Sequence, residues 1–293
     1  MLTLQPRIIA TEAELAALLA ELLTQPVVAV DTESNSLYAY REQVCLIQFS
    51  TPTADYIVDP LAGLDLRPLE QLFANPCIEK VFHAAEYDIM CMKRDFGFHF
   101  VNLFDTMRAA RILGWRRVGL GDVLNELFGI CVNKCYQRYN WGRRPLSPQA
   151  LHYACLDTHY LLPLRHIQVE TLQQLGRWDK AREAFAHVAE VRPAPYNTSG
   201  PRGFWRIPGI YNLSELEQDV LWKLYCWRDQ EARRLNWPPF KVLGAHTLVA
   251  LAQARPRTVA ELSQVPGLKP RHIRQYGEQI LCAIRAGEQP EAS

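Results

Sequence analysis

The sequence predicts an α/β unit, a mixed sheet flanked by helices, followed by a small all-α helical bundle. Three observations carry this. Short apolar or β-branched runs alternate with helical spacing up to about residue 191; residues 192–209 (RPAPYNTSGPRGFWRIPG) hold Pro or Gly at 7 of 18 positions and no acid; and beyond residue 210 the text reads almost wholly helical. So much Pro and Gly sustains neither ladder nor helix. The chain therefore divides into residues 1–191, a linker at 192–209, and residues 210–293. With 293 residues, 48% of them apolar and 22% charged, it is long enough to bury two cores.

Thr11 and Glu14 form a capping box that opens an amphipathic helix ending near Leu23. Residues 27–30, 44–49 and 56–58, separated by polar turns, predict three consecutive antiparallel strands. Residues 69–73 read as helix, 80–83 as another strand, and 84–96, 105–113 and 120–128 as helices. A long helix opens at Ser147-Pro148, an N-cap followed by Pro in the first turn. In the C-terminal part, Ser214 with Glu217 and Thr258 with Glu261 are two more capping boxes. Pro238-Pro239 and Pro266-Gly267 punctuate between helices, as in a compact bundle.

Composition narrows the function classes. No apolar run approaches the roughly 18 residues of a membrane helix, and Glu12 and Glu14 follow Met1 without a signal-peptide core. The expectation is a cytoplasmic chain with no membrane contact and no obligate protein partner. Eight cysteines occur without a C-x-x-C pair, which reads as reduced thiols in apolar surroundings. Cys131 and Cys135 lack a second pair at zinc spacing. The net charge of +1 is a cancellation: residues 1–190 carry 18 basic and 22 acidic groups, 191–209 carry 3 and 0, and 210–293 carry 11 and 9. Near-neutrality thus excludes no nucleic-acid partner.

The run 27–30 leads directly into Asp31-Thr32-Glu33. In an extended strand, positions i and i+2 project to one side, so two carboxylates aim at one point beside the sheet. Solvated acids at a strand end give the same pattern. Two further segments add to it. Asp88 stands about one turn into the helix after strand 80–83, and Tyr153 and Asp157 stand at i and i+4 on one helix face. Four hard oxygen ligands with no His or Cys pair match Mg²⁺ or Mn²⁺ rather than zinc. Two such ions roughly 3.5–4 Å apart support in-line phosphodiester hydrolysis. Tyr153 would orient or deprotonate the attacking water, and an ordinary phenol pKa of about 10 makes it a poor base alone.

DTES (31–34), HAAEYD (83–88) and YACLD (153–157) resemble, in order and separation, the three exonuclease motifs of the DEDD superfamily. The Y-x-x-x-D form of the third resembles its tyrosine branch. VCLIQFS, IVDPL, LFDTMRAARILG and NWGRRPLSPQALHYACLDTHYLLPL extend the likeness to the ribonuclease D family, over about residues 27–164. The resemblance implies a ribonuclease H-like fold and distributive 3′-to-5′ exoribonuclease activity. The products would be nucleoside 5′-monophosphates released from RNA 3′ ends such as tRNA precursors. It also implies Asp31, Glu33, Asp88 and Asp157 as ligands of two divalent ions, Mg²⁺ or Mn²⁺, and Tyr153 as the catalytic tyrosine. Where that family often has an aromatic residue after D-T-E, this sequence has Ser34-Asn35-Ser36. Residues from about 210 to 286 resemble the helicase-and-ribonuclease-D C-terminal (HRDC) domain. A DNA 3′-to-5′ exonuclease, or a non-catalytic RNA-binding protein on the same scaffold, are the competing readings.

Lys134, Gln137, Arg138, Arg143 and Arg144 lie between the second and third acidic motifs, with Tyr136, Tyr139 and Trp141 interleaved. Cations neutralise phosphates and rings stack on unpaired bases, so this stretch is either an RNA contact or a solvated loop anchored by Trp141. Arg228, Arg234, Lys269 and Arg271 in the helical part are candidate phosphate contacts or ordinary surface charge. Trp222 and Trp227 read as core. His83 reads as a supporting residue behind the acids, Gln48 as a polar strand residue, and His152 and His159 as solvent or packing residues.

Overall fold

A computed structural model describes residues 5–193 and 201–289. The chain separates into one unit of Met1–Asn35 with Gln43–Pro195, and another of Ser36–Glu42 with Tyr196–Ser293.

In the first unit the elements run β1 (Arg7–Ile9), α1 (Glu12–Leu22), β2 (Val27–Ser34), β3 (Val44–Ser50), β4 (Asp55–Val58), α2 (Glu70–Phe73), β5 (Glu79–Phe82), α3 (Glu86–Phe96), β6 (Leu103–Asp105), α4 (Thr106–Leu113), α5 (Leu120–Phe128), α6 (Pro148–His159), α7 (Leu161–Gln174) and α8 (Trp178–Ala189). The capping box at Thr11 and Glu14 is formed as expected. The sheet order is β1-β4-β3-β2-β5-β6. β2, β3 and β4 are consecutive and antiparallel, whereas β5 lies parallel to β2 and β6 parallel to β5. The three-residue strands β1 and β6 were not legible in the sequence, being too short to show alternation. Helices cover both faces. Val28, Val30, Ile47 and Phe49 pack with α1 and α3 on one side, and Ala29, Val81 and Phe104 pack with α4, α7 and α8 on the other. The long helix expected from Ser147 breaks after His159, because Pro163 has no N–H to return to the His159 carbonyl.

The second unit comprises α9 (Pro201–Phe204), α10 (Glu215–Leu235), α11 (Pro239–Val242), α12 (Ala245–Ala254), α13 (Val259–Leu262) and α14 (Pro270–Glu288). Ser214 and Glu217 close the expected capping box on α10. Residues 194–200 of the expected linker lie outside the described residues. Phe204 and Ile207, from the same stretch, are buried in this unit's core. Tyr40 is in that core too, since the loop between β2 and β3 belongs to this unit. Its hydroxyl donates to Asp229 at 2.9 Å, and the Arg233 guanidinium lies 5.5 Å from its ring centre. Trp222 and Trp227 pack against the same cluster.

Candidate active site

β2 and β3 pair so that Ala29 faces Ser50, Asp31 faces Gln48 and Glu33 faces Leu46 across the ladder. Directly opposed residues share a sheet face. Asp31 and Glu33 therefore project to the side where Cys45, Leu46 and Ile57 pack against Ala150, Tyr153 and Ala154 of α6. Thr32, on the opposite side, donates its hydroxyl to Asp88 in the first turn of α3. Asp88 is buried, and Asp31, Glu33 and Asp157 are half-buried.

The four carboxylates act on one another. Burial pushes all four above the usual carboxylate range, and in Asp31 the charges of Asp88, Asp157 and Glu33 add to it. Asp157 is pushed up to about 7 by burial with help from Asp88. Asp88 reaches about 7 by burial, opposed by the Thr32 hydroxyl. Four acids from three separated segments thus share one site that is short of positive charge. The donor set is hard oxygen, which fits Mg²⁺ or Mn²⁺. Among the described residues, no three His, Cys, Asp or Glu side chains form a finished cage around one point.

Tyr153 is 7% exposed and stacks on Tyr136 with ring centres 5.3 Å apart. Burial, then Asp157, Glu33 and Asp31, push its phenol far above the ordinary value. A neutral phenol orients a water by hydrogen bonding. Next to Asp157, Thr158 on α6 bonds Ser50 on β3 at 2.7 Å. Ser50 donates to Asp55, which also pairs with His159 at 2.9 Å. This network fixes the end of α6 to the sheet, so His159 is a packing residue with a defined job. His152, half-buried, lines a pocket of about 460 Å³ beside Tyr153. His83 lies 2.8 Å from Thr106 Oγ1, and burial lowers its imidazole to about 4. It ties the end of β5 to α4.

Asp105 is a contributor that sequence reasoning passed over. It is 1% exposed, and its carboxylate accepts from the backbone N–H groups of Ala84, Ala85, Met107 and Arg108 at 2.9–3.1 Å. It therefore caps α4 while holding the turn that enters α3 and delivers Asp88. The turn contains Ala84 at φ 62°, a left-handed conformation that a residue with a Cβ adopts only under constraint. The sequence signal was the Asp105-Thr106 start of α4, an ordinary N-cap pattern.

The candidate RNA contacts separate into two groups. Lys134, Gln137, Arg138 and Arg143 are exposed around the turn Lys134–Arg138. Trp141, by contrast, is 2% exposed and packs edge-on against Tyr139, so it anchors the loop and cannot offer its face to a base. Arg144 is exposed but engaged: its guanidinium grips Asp59 through two bonds of 2.6 Å and reaches the carbonyl of Cys45. In the second unit, Lys269 and Arg271 are exposed at the start of α14. Arg234 is exposed but paired with Glu231 at 2.6 Å. Arg228 is buried at 8% exposure, under Tyr225 and bonded to the Leu243 carbonyl; it is a core residue, not a phosphate contact. The cysteines also differ from expectation, since Cys77, Cys131, Cys135 and Cys282 are exposed.

Comparison with known proteins gives concordant findings. A family model described as 3′-5′ exonuclease matches residues 6–173, and one described as HRDC domain matches residues 217–284. Ribonuclease D of Acidiphilium cryptum is 33% identical over 266 residues, covering 90% of this chain and 67% of that protein. The catalytic core of RRP6 from Trypanosoma brucei superposes with a TM-score of 0.83 at 27% identity, over 98% of this chain and 80% of that one. Escherichia coli RNase D, described as an exoribonuclease involved in structured RNA processing, superposes with a TM-score of 0.76 at 26% identity, over 98% and 76%. The chain spans 39% of the yeast exosome complex exonuclease RRP6, to which it is 32% identical, and about two thirds of its ribonuclease D relatives. Among the described residues no helix is long and apolar enough to cross a membrane.

Proposed function

Because this chain belongs to the ribonuclease D family of 3′-5′ exonucleases and carries an HRDC domain, we infer that it removes nucleotides from RNA 3′ ends, releasing nucleoside 5′-monophosphates. The observation that supports this most is the sharing of one site by Asp31, Glu33, Asp88 and Asp157, all four raised by burial and the charge of Asp88 felt by the other three. These four would hold two divalent ions, Mg²⁺ or Mn²⁺. When bound, such ions supply an activated water and stabilise charge on the leaving oxygen.

The chain's own residues do the rest. Tyr153 orients the attacking water through its neutral hydroxyl. Thr32 holds the Asp88 carboxylate, and the Ser50–Thr158 bond holds the end of α6. Exposed Lys134, Gln137, Arg138 and Arg143 contact the strand near the site. Lys269, Arg271 and Arg234 supply phosphate contacts from the HRDC domain, whose role is to retain structured RNA such as tRNA precursors.

End-labelled RNA digested with and without chelator tests the reading. Stepwise shortening from the 3′ end that EDTA stops is expected. Faster loss of a matched DNA oligonucleotide would favour a DNA exonuclease instead. Binding without cleavage at any Mg²⁺ or Mn²⁺ concentration would favour the non-catalytic reading.

A further inference from the structure

Gln48 is the cross-strand partner of Asp31. It is 0% exposed, yet neither its Oε1 nor its Nε2 has a hydrogen-bond partner. A buried carboxamide left unpaired is unfavourable, and native proteins seldom keep one without a use. Its surroundings supply no structural use. Leu46, two positions before it on the same sheet face, and Ile57, its partner on β4, belong to the apolar cluster with Tyr153 and Ala154. Ser50, two positions after it, already bonds Asp55 and Thr158. Opposed side chains in an antiparallel pair have Cβ atoms about 4.5–5.5 Å apart. The Asp31 carboxylate is therefore within reach of the Gln48 amide.

We infer that Gln48 is a positioning residue for the carboxylates that hold metal: Nε2 donates to the Asp31 carboxylate when that group turns to ligate a divalent ion. An ionised carboxylate only accepts hydrogen bonds, and ligating carboxylates are themselves held by outer partners whose loss typically weakens metal binding 10- to 100-fold. The unpaired Nε2 opposite Asp31 has no other bond to give up when it makes that contact.

This inference rests on the metal-dependent reading above, and its test separates the two. Mn²⁺ binding to the full chain is measured by calorimetry for the native protein, Gln48→Met and Gln48→Leu, alongside metal-free melting temperature and nuclease kinetics. The expected result is a fall in Mn²⁺ affinity of about 10-fold or more in both variants, with a metal-free melting temperature equal to or above that of the native protein. KM for RNA should stay unchanged, and kcat should be recovered by raising Mn²⁺. Native affinity in folded variants would overturn the inference and leave the metal reading standing. A native chain that binds no Mn²⁺ would overturn both.

Discussion

At the scale of single residues, the site is a concentration of negative charge that burial makes expensive. Asp31 is at its centre, feeling Asp88, Asp157 and Glu33 together. Asp31→Asn should abolish cleavage, a loss of at least 100-fold, while RNA binding measured by filter retention or anisotropy stays near native; a fully active variant would refute the assignment. The same substitution removes repulsion, so the metal-free variant should not melt earlier than the native chain. His83 gives a pH signature of its own. Burial lowers its folded pKa to about 4 from an ordinary 6.5, so above pH 6.5 it is neutral in both states. As pH falls below that, the unfolded chain takes up a proton that the folded chain refuses. The folded state thus loses stability between pH 6.5 and 4, on the order of 3 kcal/mol in all. The raised carboxylates act in the opposite direction, since they favour the folded state where they are protonated. Their contribution cancels in the difference between the native chain and His83→Gln. That difference, from urea melts at pH 7 and pH 5, should favour the variant more at pH 5; an unchanged difference would show that His83 does not titrate in this way. The four acids and Tyr153 could be singled out in the sequence because their chemistry shows in residue type and spacing. The fates of Trp141 and Arg228 could not be, because residue type does not say whether a cation or an indole faces outward or inward.

The elements themselves were mostly legible: β2 to β5, and the helices opened by capping boxes or by Ser147-Pro148, follow local rules. What failed were pieces whose existence depends on partners far along the chain. β6 is only Leu103–Asp105, and it exists because it extends the sheet beside β5. It ends on Asp105, whose carboxylate serves two helices. Asp105→Ala should remove four backbone hydrogen bonds, leaving buried donors unpaired, and destabilise the chain by about 3 kcal/mol. Asp105→Asn, with one carbonyl oxygen left as acceptor, should lose less. Denaturant melts of the two variants check this, and equal losses would mean that the charge matters and the number of bonds does not. Because the same carboxylate holds the turn before α3, both variants should also weaken Mn²⁺ binding through Asp88. Arg144 plays a comparable part for the loop before α6, fastening it to Asp59 and to the β3 backbone.

Across the whole molecule, the excursion at Ser36–Glu42 was not readable in the sequence. Nothing in the text between β2 and β3 signals that seven residues belong to the C-terminal unit. The excursion is pinched at its base, where the Gln43 N–H donates to the Asn35 side chain at 2.9 Å. At its tip Tyr40 bonds Asp229, and the Lys241 ammonium lies 4.0 Å from the Tyr38 ring centre. Tyr40→Ala in the full chain should leave this segment without its anchor. Limited proteolysis should then cut within residues 36–42 at least tenfold faster than in the native chain, whereas unchanged resistance would show that Tyr38 and the backbone suffice.

The bond between Tyr40 and Asp229 spans 189 positions of sequence. During synthesis at about 5–20 residues per second, Tyr40 therefore leaves the ribosome roughly 10–40 s before Asp229 exists to receive it. The sheet can pair β2 with β3 in that interval, but the loop between them must stay open. Completion of the connection between β2 and β3 thus waits until Asp229 has been made, and a ribosome stalled in the linker would display the sheet with that connection unfinished.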